Sequence, residues 1–414
     1  MSPEDAKRLV EVDAGTPGGE LLRRYWHPLC PISAVRATAP LCRVEILGES
    51  LVVIQLADGT FIAIGERCPH RGASLQYGYV EDGGIRCAYH GWLFDQRGAC
   101  VESPFERSPR DVRAACYPAR ALAGMLFVYM GPPETITPLP MWDMLVQEYG
   151  AYRIHIQEEM RCNWVQVQEN SADVTHTFFL HSRRFRELGL PDESGYDRRM
   201  TSYGFQPFPW GILKSWAYED ADGREIEGWG SPLVFPNMLH IEREIHWRVP
   251  VNLRETRVII VAFDPNGASA PPTTVVEPSR WNDDETYRLN TFFAQDALAW
   301  ETQGSLTDRA SEHLAISDTG VHMFRRMLLR EMERVEKGLA PMATLAPDAP
   351  SEPIVTRKWM GGYVPMSAPP DTTFVDRLPK EQVFDKRHQT FRTTLEGTGI
   401  RSTAVQNSRG QRKD

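Results

Sequence analysis

The hydrophobic pattern of the chain changes character twice. Residues 1–27 read as a helical lead-in: Thr16 caps and Pro17 opens a helix predicted over Gly18–Tyr25, and Pro28 helps to stop it. From about Cys42 to Met130 the apolar runs are short and β-rich. Cys42–Leu47, Leu51–Gln55, Phe61–Ile64 and Leu126–Met130 are predicted strands, parted by turn residues such as Gly-Glu-Ser and Ala-Asp-Gly-Thr. Short strands at this spacing predict a small β-sandwich or barrel over residues 28–135. Gly131-Pro132-Pro133 and Pro138–Pro140 mark a linker behind it.

A larger region, 136–385, follows. Trp164–Phe185 contains neither proline nor glycine and is predicted as one helix, or as a helix with irregular ends. Tyr203–Trp216, Glu244–Val251 and Arg257–Phe263 read as strands, and Ile245, Trp247 and Val249 alternate with polar neighbours. Helices are predicted over Arg288–Trp300 and Val321–Gly338. In the second, Val321, Phe324, Met327, Leu328, Met332 and Val335 form one apolar stripe, read as core. Residues 386–414 are polar, rich in Arg and Thr, and read as a loose tail.

Composition narrows the function classes. The 414 residues are 42% hydrophobic and 24% charged, which fits two or three globular domains. The net charge of -9 argues against a nucleic-acid partner. Apolar runs such as Val258–Phe263 are too short to cross a bilayer, and the N-terminal residues lack the apolar stretch of a secretory leader. Seven scattered cysteines suggest a reducing cytoplasm, with thiols free or bound to metal.

Four candidate soft ligands are paired. Cys68-Pro-His70 and Cys87-Ala-Tyr-His90 are separated by sixteen residues, and each half is a short turn between β segments. Two loops meeting tip to tip would offer two thiolates and two imidazoles. Cys₂His₂ is also a structural zinc set, but zinc fingers keep their cysteines in one knuckle and their histidines in another. One of each per loop suits a [2Fe–2S] cluster with both thiolates on one iron and both imidazoles on the other. Neutral imidazoles raise its reduction potential above that of an all-cysteine cluster. Gly72, Gly91 and Trp92 would let the backbone approach and shield it.

These two loops, Cys68-Pro-His70-Arg-Gly and Cys87-Ala-Tyr-His90-Gly-Trp, resemble the Rieske non-haem iron oxygenases almost letter for letter. The lead-in Gly15-Thr-Pro-Gly-Gly-Glu-Leu-Leu-Arg-Arg-Tyr-Trp-His-Pro28 is similar to the phthalate-dioxygenase-like branch. The resemblance implies an α+β chain: an N-terminal Rieske β-domain, then a helix-grip catalytic domain on an antiparallel sheet.

The second constellation lies in Asn163–His181, with Asp173, His176 and His181. The two histidines are five apart. On an ideal helix that is about 140° past a full turn, so they converge only if the helix loosens. Asp173 sits one turn before His176 and can accept from its second ring nitrogen. An open iron site for O₂ wants two histidines and a carboxylate. Asp283, Asp284, Glu285, Asp296, Glu301 and Asp308 are all candidates, and spacing does not choose among them. The resemblance does: Ala294–Leu314 looks like the segment that supplies the carboxylate, so His176, His181 and Asp296 would bind Fe(II). It also gives Asp173 a bridge between a cluster histidine of one subunit and an iron histidine of the next, in a homotrimer or stacked hexamer.

The implied activity is that of a terminal oxygenase: O₂ is activated at the iron, with electrons from NAD(P)H. The chain has no Gly-x-Gly-x-x-Gly, so a separate reductase, with or without a ferredoxin, is required. The branch points to aromatic acids, oxidised by O-demethylation or ring hydroxylation, including cis-dihydroxylation of the phthalate type. Tyr203, Phe205, Phe208, Trp210, Trp216 and Phe235 lie in the interval expected to wall the pocket, most of them as core. Arg183, Arg184, Arg199, Lys214, Arg243 and Arg248 are cations that could clamp a carboxylate. The rival classes are a Rieske electron-transfer protein without oxygenase activity and a zinc-stabilised binding module.

Overall fold

A computed structural model describes residues 1–35, 40–189, 200–219, 222–241, 243–268 and 271–356, with the two-residue strands Val383–Phe384 and Phe391–Arg392. The predicted tail, 386–414, lies outside the described residues except for Phe391–Arg392. The lead-in forms two helices, α1 (Pro3–Val10) and α2 (Pro17–Leu22). Each starts on proline and is capped by a hydroxyl, from Ser2 and Thr16. The second stops short of the expected Tyr25. There the buried Arg23 guanidinium turns back onto the carbonyls of Val12, Gly19 and Leu47, and the chain passes into a strand.

Ten strands follow. They are β1 (Trp26–Pro31), β2 (Leu41–Ile46), β3 (Glu49–Gln55), β4 (Phe61–Gly65), β5 (Tyr79–Glu81), β6 (Gly84–Arg86), β7 (Leu93–Asp95), β8 (Cys100–Glu102), β9 (Cys116–Leu122) and β10 (Met125–Tyr129). A six-stranded antiparallel sheet runs β1-β10-β9-β4-β3-β2, and a four-stranded sheet runs β5-β6-β7-β8. The predicted sandwich is therefore present. Strand β3 explains its own apolar run, because both of its faces are buried. Val52 and Ile54 pack with Leu75, Ile85 and Phe94 between the sheets, whereas Leu51 and Val53 join the main core on the other side.

The second region is built on an eight-stranded sheet. Its strands are β11 (Ala151–Ile156), β12 (Met200–Phe208), β13 (Gly211–Glu219), β14 (Glu225–Val234), β15 (Met238–Ile241), β16 (Glu244–Asn252), β17 (Glu255–Asp264) and β18 (Thr273–Val276), in the order β12-β13-β14-β15-β16-β17-β11-β18. All pairings are antiparallel except that of β11 with β18. The single strand expected over Tyr203–Trp216 is instead the hairpin β12–β13, turning at Pro209-Trp210. Proline cannot donate to a ladder, so it closes a strand, and Pro207 is tolerated because β12 is at the sheet edge.

The helix expected over Trp164–Phe185 is also divided. It comprises α3 (Trp164–Asn170), a π-helical stretch Thr177–Arg183 and α4 (Arg184–Glu187). Asp173 Oδ1 accepts from the backbone N and Oγ1 of Thr175, a local turn that competes with helical bonding. The break is also where Gly320 approaches: a Cβ there would sit 2.0 Å from the Ala172 carbonyl. Helix α5 (Phe292–Thr302) starts four residues later than expected, where Thr291 caps it. Helix α6 (Thr319–Glu336) buries the whole predicted stripe in the main core.

Candidate cluster loops and metal centre

The two cluster loops have one backbone design. In each, the cysteine N–H donates five residues ahead, Cys68 to Ala73 O at 2.9 Å and Cys87 to Trp92 O at 2.8 Å. In each, the glycine four residues on donates back, Gly72 to Cys68 O at 2.8 Å and Gly91 to Cys87 O at 3.0 Å. Both glycines hold φ near +70°, a region costly for other residues. Cys68 and Cys87 are buried, while His70 and His90 are half-buried with ring centroids 4.6 Å apart. Trp92 stacks flat on His70, 4.3 Å between centroids. Burial pushes the Cys68 thiol up to about 11, and the adjacent Cys87 thiol adds to that. The backbone N–H groups of His70 and Arg71 point at the Cys68 sulfur and favour its anion. Two free, mutually repelling buried sulfurs with amides aimed at one of them suit thiolate ligation of a metal centre.

Behind this loop, Glu66 accepts from Ser50 Oγ, Ser74 Oγ and Arg43 Nε. Arg86 spans the other loop, donating to Gly91 O and to Glu81 and Glu102.

Farther along, His176, His181 and Asp296 bring one nitrogen or oxygen each to within 4.8 Å of one another. The π-helical turn makes this possible: its wider winding draws residues five apart towards one side. Asp296 arrives from α5, with Oδ1 3.3 Å from His181 Nε2 and 3.7 Å from His176 Nε2. Asn170 Nδ2 donates to the same oxygen at 3.2 Å. His181 Nδ1 donates to Gln295 Oε1 at 2.8 Å, and Gln295 Nε2 donates to Leu289 O, which fixes the amide. His181 Nε2 is thereby left with a lone pair facing Asp296, the tautomer a metal ligand needs. Burial resists ionisation of Asp296, but His181, then His176 and Asn170, hold its carboxyl below the usual range. Asp173 Oδ2 faces His176 Nδ1 at 3.3 Å without hydrogen-bond alignment. Two imidazole nitrogens and a carboxylate oxygen converging in this way suit an open Fe(II) site.

The pairing of helices holds the trio together. Asn163 caps α3, and Gln166 Nε2 donates to the carbonyls of Trp300 and Gly304, tying α3 to α5. Buried Arg325 of α6 reaches both Glu169 and Glu312, and Arg309 joins Glu169. Sequence reasoning did not single out Gln295, Asn170 or this ionic group; Gln295 is adjacent to Asp296, which was the available signal.

Residues 25–118 match the family model of the Rieske [2Fe–2S] domain. Over 364 residues the chain is 35% identical to the 5,5'-dehydrodivanillate O-demethylase oxygenase subunit of a Sphingobium species, covering 83% of this chain and 84% of that one. The chain belongs to the Rieske non-haem iron oxygenases. It is 32% identical to the phenoxybenzoate dioxygenase alpha subunit of Ectopseudomonas oleovorans, over 81% of this chain and 86% of that one. Among solved structures, dicamba monooxygenase bound to dicamba shares the fold, with TM-score 0.55, 15% identity, and coverage of 77% of this chain and 99% of the other. This Rieske oxygenase is therefore α+β, with a Rieske β-domain ahead of a sheet-rich catalytic domain, and it is an oxygenase component of the group that performs O-demethylation or ring hydroxylation. Among the described residues, no helix is long and apolar enough to cross a membrane.

Proposed function

We propose that the chain oxidises an aromatic acid, by O-demethylation or ring hydroxylation, as the terminal component of a system whose electrons come from a separate NAD(P)H-dependent reductase. The observation that carries this is the convergence of His176, His181 and Asp296 from two distant segments. Relatives named for dehydrodivanillate, phenoxybenzoate and phthalate support the substrate class. In this reading Cys68, His70, Cys87 and His90 hold the [2Fe–2S] cluster, and His176, His181 and Asp296 hold ferrous iron. The cluster supplies one-electron transfer and the iron supplies O₂ activation.

The residues around the iron ligands have positioning tasks. Gln295 holds the His181 ring in one tautomer. Asn170 holds Asp296 with one oxygen towards the histidines. Asp173, beside His176, is assigned the link to a cluster histidine of a second copy, in a homotrimer or stacked hexamer. The electron-carrying part is taken as 28–135 and the catalytic part as 136–385, and free thiols throughout suit a reducing cytoplasm. The test is a panel of methoxylated and unmethoxylated aromatic acids with a surrogate reductase. Formaldehyde or hydroxylated product is expected; oxidation of neutral aromatics alone would overturn the substrate class.

A further inference from the structure

Six cations were named above as possible carboxylate clamps, and their surroundings separate them. Arg183 and Arg184 are on the outside of the chain, paired with Glu187 at 2.9 and 2.8 Å. Arg199 lies outside the described residues. Arg243 stands in the turn ahead of β16, near Tyr149.

Lys214 and Arg248 are different. They rise from β13 and β16 and are 8% and 3% exposed. Lys214 has no hydrogen-bond or ion-pair partner among the described residues. Its stem lies across Gly230 of β14, where an added Cβ would stand 3.2 Å from Lys214 Cβ and 3.3 Å from Cε. Arg248 Nη1 donates to the His246 carbonyl at 3.1 Å, and its buried Nε has no partner. Burial, then the charge of Arg248, pulls Lys214 down to about 8; burial pulls Arg248 down to about 10. Each also feels a carboxylate, Asp173 beside His176 for Lys214 and Asp296 of the trio for Arg248.

Two buried like charges with unused donors are costly unless an anion joins them. Asp296 cannot be that anion once it holds a dication. We propose that Lys214 and Arg248 bind the carboxylate of the substrate and so bring its ring to the His176–His181–Asp296 trio. Arg248 offers Nε and a guanidinium edge to the two oxygens, and Lys214 offers a point charge. This rests on the aromatic-acid reading above.

The test uses the full-length, anaerobic, metal-loaded protein. Benzoate, 3-methoxybenzoate and phthalate, each beside its amide, are titrated by calorimetry, and product is measured with a surrogate reductase. Each acid that binds should do so more tightly than its amide. Lys214→Met should raise its Kd roughly 10- to 100-fold, leave the Kd of the amide unchanged and keep the cluster absorbance. Lys214→Arg should recover most of the loss, which a purely structural lysine would not predict. Arg248→Met should act likewise, and Lys214→Met decides the matter if that second variant does not fold. Equal acid affinity in wild type and Lys214→Met, equal affinity for acid and amide, or no binding of any acid would overturn the inference. Acids oxidised alike by wild type and Lys214→Met leave the proposed function standing and remove only this site. Product from neutral aromatics alone removes both.

Discussion

The two regions proposed to bind metal are built on opposite plans. The proposed cluster loops are local: all four proposed ligands lie within residues 68–90, on two loops with the same backbone bonds and a left-handed glycine in the same place. The metal centre is assembled from distant parts: a π-helical turn supplies two histidines, and α5 supplies Asp296. A local site is fixed by loop chemistry, so its spacing is a motif. A distributed site is fixed by how helices pack, and here Gln166, Glu169 and Arg325 do that work out of sight of the ligands.

The largest effect should come from breaking one site without the other. His176→Ala or Asp296→Ala should lower turnover by at least about 10³-fold while the visible spectrum of the cluster is unchanged. Bleaching of the cluster in either variant would show that the two sites are not independent.

Next is the joint between the regions. His27 is fully buried; its Nε2 donates to Leu22 O, and Asn237, in the turn between β14 and β15, donates to its Nδ1. Burial lowers its pKa from 6.5 to about 4. Above pH 6.5 the ring is neutral folded and unfolded, so it costs nothing. Between pH 6.5 and 4 only the unfolded chain takes the proton, and stability falls by roughly 3 kcal/mol. Chemical denaturation at pH 7 and pH 4.5 should show that loss in wild type and a smaller one in His27→Gln; equal losses would remove His27 from the account.

Within the metal centre, Gln295→Leu should weaken iron binding roughly 10- to 100-fold by freeing the His181 tautomer, measured by chelator competition. Unchanged affinity would show that packing alone orients the ring. The smallest effect is within the cluster loops. Gly72→Ala adds only backbone strain, about 1 kcal/mol, because nothing lies within 4 Å of the new Cβ. Gly91→Ala adds the same strain and a Cβ 3.2 Å from Pro104, so its melting temperature should drop further. Equal drops would mean that Pro104 yields.

This contrast also explains what could be read from the sequence. The four proposed cluster positions and the α6 stripe follow from short-range spacing; the structure puts Cys68 and Cys87 on matching loops with the His70 and His90 rings 4.6 Å apart, and it buries the stripe. His176 and His181 could be named, but their convergence could be stated only on the condition that the helix loosens, because period-3.6 reasoning does not supply the π-turn that brings them together. Asp296 was indistinguishable by spacing from Glu301 or Asp308. In the fold, Glu301 pairs with Arg280, and Asp308 accepts from Ala310 N, so neither joins the histidines. The hairpin at Pro209-Trp210 and the break at Asp173 were missed for one reason: local side-chain and proline chemistry interrupted patterns that apolar periodicity joined together.

The most direct test is the count of iron and acid-labile sulfide in anaerobically purified protein, for wild type and His176→Ala. The account predicts three irons and two sulfides per chain in wild type, and two of each in the variant. Absence of sulfide, or a variant that keeps all three irons, would contradict it.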